Sequence, residues 1–373
     1  MEFQNHTSIL HLPTPPEPEW YLKKIAGLPF FLRNLFILKK LGIKKLVIWA
    51  EEPIATHLKA FLEKIKWDAE LELNWASEKT FSTEASSFLI FDGSTLIDQD
   101  ATKSKIVEGN ENNSLSPSEG LKEFTNQNLV YFLQSTDSEQ PERLQTIKDF
   151  KEAEDRLLKS CGLNNDSFMD RLLTRSISRK LTGFFIKTSL TPNQITILSM
   201  LVGLVAAFCF YLGSYEMGIA GSALLLVSAW IDCADGEVAR LKFMVSEWGG
   251  KLDIVADNIV HCCVFFSIGM GLFSLTGEPV YKYLGIAAVL GSFVSFIFLS
   301  KTILWEKSEA SKKPLSKPSK KNFTDQLANR DFIYLLFALA LFGRLDVFIF
   351  LTALGSNFLS VYLLFQKFQT RSG

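Results

Sequence analysis

Four aspartates lie close together in an otherwise apolar stretch of the sequence. They are Asp232, Asp235, Asp253 and Asp257, within residues 231–261. A charged side chain at mid-membrane costs about 2.5 to 3.5 kcal/mol on insertion scales, so four unpaired carboxylates would oppose insertion by roughly 10 kcal/mol or more. The sequence therefore predicts that these side chains bind something that compensates their charge.

The spacing of the aspartates predicts two helix faces that carry carboxylates. Asp232 and Asp235 are three residues apart and Asp253 and Asp257 are four apart, so each pair lies on one face of its helix. We expect the two faces to meet across a glycine turn at residues 249–250. Carboxylate oxygens suit hard divalent cations, with Mg²⁺ or Mn²⁺ as the expected ions, and such ions favour phosphate chemistry.

The elements that position these residues are predicted to be membrane helices. The chain has 373 residues, a 47% hydrophobic content and a formal net charge of −1, but its composition changes near residue 190. Charged and polar residues mix with short apolar runs before that point, and apolar stretches of membrane-spanning length follow it. Six spans are predicted, at about 192–212, 217–233, 252–272, 283–304, 332–342 and 347–365, the fifth being short.

The distribution of basic residues predicts the orientation of these spans. Lysine and arginine cluster before the first span, between the second and third, in residues 301–330 and at the C-terminus. By the positive-inside rule, both termini and the aspartates face the cytoplasm. No signal peptide is predicted, so we expect the N-terminal soluble part to stay in the cytoplasm. From the spans we expect an integral protein of the cell (inner) membrane. The loop at 301–330 is predicted to be a solvated linker attracted to membrane lipids, not a nucleic-acid site.

Residues 1–150 are predicted to form a cytoplasmic α/β domain with a small parallel sheet. A helix ends near Gly42, a strand follows at residues 46–49, and a further helix at about 54–65 precedes three strands at about 69–75, 86–93 and 128–133. The segments at 27–49 and 86–98 resemble sugar-nucleotide and cytidylyl transferases. The glycine-rich phosphate loop of that family has no counterpart, so the resemblance implies a non-catalytic, nucleotidyltransferase-like domain. Asp92 matches a position that holds metal and nucleotide there, although Asp-Gly pairs also simply form turns.

Residues 151–190 are predicted to contain a linker and an amphipathic helix. Within 166–187, apolar residues recur at helical spacing with arginine and lysine between them. This pattern is typical of a helix lying on the membrane surface, and a core helix of the soluble domain is the alternative. The predicted fold is therefore multi-domain, with a C-terminal all-α integral membrane domain of six transmembrane helices at 191–373.

The aspartates belong to a longer sequence pattern. Residues 232–257 match DxxDGxxARx(8)GxxxDxxxD without a gap or substitution. On these residues, and on the similar segment 170–196, the chain is identified as a member of the CDP-alcohol phosphotransferases from about residue 166 to its end. The resemblance implies that a hydroxyl attacks the phosphorus on the alcohol part of a CDP-alcohol and releases CMP. Two ions about 3.5 to 4 Å apart would assist such a displacement.

The resemblance also implies roles for individual aspartates. Asp232, Asp235 and Asp253 are the expected metal ligands. Asp257 corresponds to the last aspartate of the family pattern, which touches a metal and serves as general base for the acceptor hydroxyl.

Other residues are expected near the donor nucleotide. Gly236 and Ala239 would let the cytidine and its phosphates approach the helix, although small residues also simply allow close helix packing. Arg240 would bind the diphosphate, with a membrane-anchoring role as the alternative. Asn193 and Thr196 resemble family residues near the nucleotide, but helix capping alone explains them equally.

The acceptor is less constrained by the sequence. Arg175, Lys251 and Arg330 are the candidate cations for a phosphorylated acceptor. The resemblance is greatest to the branch that includes di-inositol-phosphate-phosphate and inositol-phosphate-type synthases, which implies an inositol phosphate. Glycerol phosphate, serine and other polyols remain alternatives, with CDP-diacylglycerol as an expected donor, and a homodimer is expected.

A divalent-cation transporter that uses the same aspartates is the alternative function. Gly236, Ala239 and Arg240 have no evident role in ion passage, and an arginine beside the carboxylates would repel cations. An intramembrane aspartyl protease is disfavoured because the Gly-x-Gly-Asp pattern is absent from the sequence.

Overall fold

The computed structural model describes residues 7–17, 19–65, 67, 70–76, 87–99, 102, 129–133, 143–161, 173–310 and 331–371. The chain divides into two compact units, Met1–Leu158 and Lys159–Gly373. The first part of the predicted amphipathic helix, most of the predicted lysine-rich loop, and Arg330 lie outside the described residues.

The first unit is built around a five-stranded parallel sheet. Its described strands are β1 (Thr7–Leu12), β2 (Lys24–Ile25), β3 (Leu28–Pro29), β4 (Lys45–Ala50), β5 (Glu72–Ala76), β6 (Ser87–Asp92) and β7 (Leu129–Leu133). The sheet order is β5-β4-β1-β6-β7, with every neighbouring pair parallel, while β2 and β3 form a separate antiparallel pair. The helices are α1 (Phe30–Lys40), α2 (Glu52–Ile65) and α3 (Ile147–Ser160). The predicted α/β fold is therefore confirmed for this unit.

Strand β1 is the central strand, and it was not predicted from the sequence. Its segment Ser8–Leu12 is short and leads into a proline-rich segment, so the local pattern indicates a strand only weakly. Ile9 and Leu10 are nevertheless completely buried between β4 and β6. Burial on both sides is the general condition of a central parallel strand.

Asp92 lies where β6 ends, beside β1, at the point where the strand order reverses. Such switch points commonly bind ligands at the carboxyl ends of strands. Here the carboxylate is engaged locally, because Oδ1 accepts hydrogen bonds from the backbone nitrogen and the hydroxyl of Ser94, at 2.9 and 2.6 Å. Oδ2 accepts from Nε of Arg143 at 3.2 Å. These contacts favour a turn-forming role for Asp92.

The second unit is helical. Its described helices are α4 (Arg175–Phe185), α5 (Pro192–Tyr211), α6 (Tyr215–Leu241), α7 (Glu247–Thr276), α8 (Pro279–Ala310), α9 (Asp331–Leu341) and α10 (Leu345–Arg371). Five of them are long and apolar enough to cross a membrane: α5, α6, α7, residues Pro279–Phe298 of α8 and residues Leu345–Phe365 of α10. Helix α9 is apolar but has only 11 residues, about half the length that a hydrocarbon core requires.

Large apolar side chains on the outside of these helices agree with a membrane environment. The exposed fraction lies between 52% and 69% for Leu201, Val205 and Phe208 of α5 and for Leu354 and Phe358 of α10. Helices that are apolar both inside and outside are typical of membrane spans. The second unit is therefore a membrane domain.

Glycines allow α7 to pack closely between its neighbours. A Cβ on Gly271 would clash with the carbonyl oxygen of Phe210 and lie 3.1 Å from Cα of Gly213 at the end of α5. A Cβ on Gly269 would lie 2.7 Å from Cα of Gly285 on α8. Small residues permit such close backbone contact in membranes, and here they fix α7, which carries two of the aspartates.

Candidate active site

The aspartate pairs lie where α6 ends and α7 begins. The backbone leaves α6 through Phe243, which has a φ of 55°, and Ser246 caps α7 by accepting a hydrogen bond from Gly249 nitrogen at 3.0 Å. The connecting turn is therefore residues 242–246, and the predicted turn at 249–250 is wrong. A serine cap satisfies the first free backbone donors of a helix, so α7 begins before the two glycines.

Three of the four aspartates converge at this junction. One carboxylate oxygen from each of Asp232, Asp235 and Asp253 lies within 4.8 Å of the other two. Asp232 and Asp235 are buried, at 5% and 6% exposure, and Asp253 is half-buried. Asp257 is half-buried one turn further along α7 and is not part of this three-residue group.

The donor set fits a hard divalent cation. Three carboxylate oxygens without cysteine or histidine match the ligand preference of Mg²⁺ and Mn²⁺. Carboxylates this close repel one another strongly unless a cation lies between them. The residues Asp232, Asp235 and Asp253 are therefore suited to hold a metal ion.

Helix α5 orients the two carboxylates of α6. Thr191 caps α5 with a reciprocal capping box, and one turn later the Thr196 hydroxyl donates to Oδ2 of Asp235. Ser199 donates more weakly to Oδ1 of Asp232, at 3.5 Å. Hydroxyls that hold one oxygen of a carboxylate fix the direction of the other, as is usual around metal sites.

Asn193 lies beside the start of α7. A Cβ on Gly249 would lie 3.0 Å from the Asn193 side-chain oxygen, so the glycine gives this asparagine room. Thr196 directly contacts Asp235, and Asn193 adjoins the turn before Asp253. The structure thus places both residues at the aspartate junction.

Arg240 folds back along α6 over Gly236. Its Nη1 would lie 3.4 Å from a Cβ on Gly236, and its Nη2 donates to the carbonyl of Cys161 at 3.1 Å. Its Nε is buried and makes no hydrogen bond to the described residues. Gly236 and Ala239 each follow an α6 aspartate by four residues and therefore share its face. The small residues and the guanidinium thus border the carboxylates.

Of the three cations predicted for the acceptor, the structure describes two. Arg175 on α4 donates through Nη1 to Oε1 of Glu237, at 2.6 Å. Lys251 is exposed on α7, two residues before Asp253. Arg330 lies outside the described residues.

Comparison with known proteins identifies the membrane domain. Residues 189–356 match the model of the CDP-alcohol phosphatidyltransferase family, and this range contains every residue of the aspartate junction. The chain carries a CDP-alcohol phosphatidyltransferase domain. The transferase domain thus includes α5 to α9 and the beginning of α10.

Several proteins resemble the chain. Among those called bifunctional IPC transferase and DIPP synthase, that of Aquifex aeolicus is 30% identical over 151 residues, covering 39% of this chain and 33% of that protein. That of Thermococcus kodakarensis is 23% identical over 341 residues, covering 73% and 76%. The archaetidylinositol phosphate synthase of Pyrococcus horikoshii is 38% identical over 82 residues, covering 22% and 42%. The chain therefore spans from one third to three quarters of these relatives.

Among solved structures, the phosphatidylinositol phosphate synthase of Mycobacterium tuberculosis in complex with manganese and citrate is similar to the chain. It is 18% identical, with a TM-score of 0.39, and the match covers 50% of this chain and 87% of that one.

One buried polar cluster of the transferase domain was not predicted from the sequence. Glu237 of α6 is paired with Arg175 and also accepts hydrogen bonds from Ser178 and Thr182 of α4. The sequence does contain an indication of this cluster. Ser178 and Thr182 are four residues apart and therefore lie on one face of a helix, but that helix was interpreted from its apolar residues. Ser199, which contacts an aspartate, was also missed and has no comparable signal.

Proposed function

We propose that the transferase domain moves a substituted phosphate from a CDP-alcohol to an acceptor alcohol and releases CMP. The observation that carries this proposal is the convergence of carboxylate oxygens from Asp232, Asp235 and Asp253 within 4.8 Å. The family of the domain and the names of its relatives point to the same reaction class.

The metal site is part of the proposal. Asp232, Asp235 and Asp253 would hold Mg²⁺ or Mn²⁺, with Asp257 one turn away to complete a site for two ions. Bound cations would neutralise the diphosphate and stabilise the charge that develops on the attacking and leaving oxygens.

The chain's own residues account for the remaining chemistry. Asp257 would accept the proton of the acceptor hydroxyl, whose oxygen then forms a bond to phosphorus as the bond to CMP breaks. Arg240 would bind the diphosphate, since its Nε is buried and makes no hydrogen bond within the described part of the chain, and its guanidinium adjoins Gly236. Gly236 and Ala239 would leave the backbone open to the nucleotide, and Thr196 would hold Asp235 in orientation.

The proposed acceptor is an inositol phosphate, and CDP-diacylglycerol is the proposed donor. An archaetidylinositol phosphate synthase is among the relatives, which supports a phosphorylated inositol. Lys251 is exposed near the start of α7 and is proposed to meet an acceptor phosphate through its long side chain, although its position two residues before Asp253 places it on another side of the helix. Arg330 is proposed for the same role, whereas the ion pair of Arg175 with Glu237 reduces its availability.

The arrangement in the membrane is also proposed. Helix α9 would complete six spans, both termini and the aspartates would face the cytoplasm, and the protein would form a homodimer in the inner membrane. The proposed divisions are 1–150, 151–190 and 191–373, the first being a non-catalytic nucleotidyltransferase-like domain. The alignment with the Thermococcus relative covers 73% of the chain and so reaches into the first unit, which supports a shared two-part organisation.

A direct assay tests the reaction. Purified full-length protein in detergent is incubated with CDP-diacylglycerol, Mg²⁺ or Mn²⁺, and one of inositol phosphate, glycerol phosphate or serine, and CMP is measured. We expect CMP release with inositol phosphate, none after chelation, and none from Asp232→Asn. The exposed residue Glu216, on the same helix, supplies the matched control Glu216→Gln. Absence of CMP with every acceptor, together with Mn²⁺ uptake into vesicles containing the protein, would support the transporter alternative.

A further inference from the structure

A carboxylate is buried on α6 behind the proposed active site. The Glu237 side chain is only 1% exposed. Its Oε1 accepts from Nη1 of Arg175 at 2.6 Å and from the Ser178 hydroxyl at 2.9 Å, and its Oε2 accepts from the Thr182 hydroxyl at 2.7 Å. Both oxygens are therefore bound by α4, the helix that precedes the transmembrane core.

Glu237 lies on the side of α6 away from the metal ligands. It follows Asp235 by two residues, which corresponds to about 200° of rotation around a helix. Helix α6 thus presents Asp232 and Asp235 to α5 and α7 and presents Glu237 to α4. A displacement of α6 at Glu237 would therefore move both aspartates relative to Asp253, which is on another helix.

Helix α4 has the orientation needed for such a contact. Its polar residues Ser178 and Thr182 are fully buried, and Phe185 is buried as well, whereas Phe184 is 63% exposed. A soluble core helix would turn its apolar residues inward. Here the inward face combines Phe185 with the hydroxyls of Ser178 and Thr182, and the charge of Glu237 adds an attraction to the apolar packing of that face.

The same end of α6 holds the flanking segments as well. Arg240 donates through Nη2 to the carbonyl of Cys161, at 3.1 Å. Lys242 donates through Nζ to the carbonyls of Thr188 and Leu190, at 3.0 and 3.5 Å. Three charged side chains at the end of α6 therefore contact points before, within and after α4.

We infer that Glu237 is a positioning residue for the transfer reaction: by binding Arg175, Ser178 and Thr182 it fixes the end of α6 so that Asp232 and Asp235 stay in register with Asp253. The inference rests on the proposed function, and it adds a residue that acts through α6 without touching substrate. An ionised group is suited to this task because a carboxylate accepts several donors at once. Loss of its charge would remove the Glu237 counter-ion from the largely buried Arg175 guanidinium.

Metal affinity tests the inference independently of turnover. Mn²⁺ binding to purified full-length protein is measured by electron paramagnetic resonance of free Mn²⁺, below the unfolding temperature of every variant. We expect Glu237→Gln to raise the Mn²⁺ dissociation constant about tenfold, the lower end of the 10–100-fold range for groups that support metal ligands. Glu216→Gln, the same change at the exposed far end of α6, should leave it unchanged. An unchanged constant in folded Glu237→Gln would overturn the inference.

A double-mutant cycle separates positioning from direct electrostatics. If Glu237 acts by holding α4, Arg175→Gln alone should also weaken Mn²⁺ binding, and the double variant should recover much of the loss, because two amides can pair without a stranded charge. If the Glu237 charge acts on the metal directly, Arg175→Gln would tighten binding and the double variant would not recover, which would refute positioning.

Two further measurements keep the test decisive. Hydrogen exchange in α4 should accelerate in Glu237→Gln but not in the control, because α4 loses its anchor. If Glu237→Gln does not fold, the milder Thr182→Val removes one donor at constant size, and we expect a two- to fourfold weaker Mn²⁺ affinity; no change there would count against the inference. Failure of the wild-type protein to release CMP would refute the proposed function. The Mn²⁺ binding and hydrogen-exchange results would still test whether Glu237 positions α6.

Discussion

Replacing Asp253 by asparagine should stabilise the metal-free protein and abolish its response to metal. Oxygens of Asp232, Asp235 and Asp253 lie within 4.8 Å of one another. At an effective dielectric constant of about 20, each pair of unit charges at that distance repels by about 3.5 kcal/mol. Asp253 takes part in two such pairs, so the gross relief at 4.8 Å is about 7 kcal/mol. Water and the neighbouring hydroxyls offset most of this, and we expect a net gain of about 1 to 3 kcal/mol.

Metal binding should raise the stability of the wild type but not that of the Asp253→Asn variant. Free Mn²⁺ at 100 times its dissociation constant stabilises the folded protein by about 2.7 kcal/mol. For a unit of this size, 1 kcal/mol corresponds to roughly 2 to 4 °C in the unfolding temperature. Wild type should therefore gain about 5 to 10 °C from Mn²⁺, whereas Asp253→Asn should start a few degrees higher in EDTA and gain almost nothing.

Thermal unfolding in detergent, with EDTA or Mn²⁺ at one fixed scan rate, measures both effects. Asp346→Asn is the matched control, because Asp346 forms a partly exposed ion pair with Arg344 at 3.2 Å, outside the three-aspartate group. Such pairs contribute little to stability, so this variant should keep the full response to Mn²⁺. If Asp253→Asn were less stable than wild type in EDTA and gained as much from Mn²⁺, the reasoning that Asp253 is a metal ligand would be refuted.

Three further predictions follow from the site and the helix packing. Asp257→Asn should abolish CMP release while CDP-alcohol binding, measured by calorimetry, persists; unchanged turnover would remove it as the general base. Thr196→Val should raise the Mn²⁺ dissociation constant about tenfold because Asp235 loses its hydroxyl donor, whereas Thr196→Ser should bind as wild type does. Gly271→Ala should lower the unfolding temperature by several degrees, since its Cβ would meet the backbone of α5, whereas Gly355→Ala, with no atom within 4 Å of its Cβ, should not; equal unfolding temperatures would contradict the close packing.

The sequence predicted element types well where the pattern was long or repeated. The α1-to-β6 succession of the first unit and the long apolar helices of the second follow directly from hydrophobic periodicity and length. The central strand β1 was missed because six residues before a proline-rich segment carry little local signal, and only its neighbours β4 and β6 explain its burial. The position of the α6–α7 turn was misjudged because the Ser246 cap outweighs the two glycines that follow it.

The candidate site was predictable in part from the spacing of its residues along the sequence. Spacing of three and four residues indicates carboxylates on one helix face, and the structure brings Asp232, Asp235 and Asp253 together. Contacts between helices distant in sequence have no such periodicity. The hydroxyl of Ser199 on Asp232 and the α4 contacts of Glu237 depend on how the helices cross, which no single stretch of sequence encodes.

The two faces of α6 show how one short stretch serves chemistry and structure together. Positions three and four residues apart return to the same face, so Asp232, Asp235, Gly236 and Ala239 can all border one pocket. A position two residues after Asp235 must face away from that pocket, and there the chain has Glu237, bound to α4. Between the fixed residues of such a pattern, other positions are free to vary. A side chain at one of them can therefore attach the helix that carries the metal ligands to a neighbouring helix. Because a buried carboxylate is costly unless its partners are present, changes in α4 at residues 175, 178 and 182 should be tolerated only together with changes at 237.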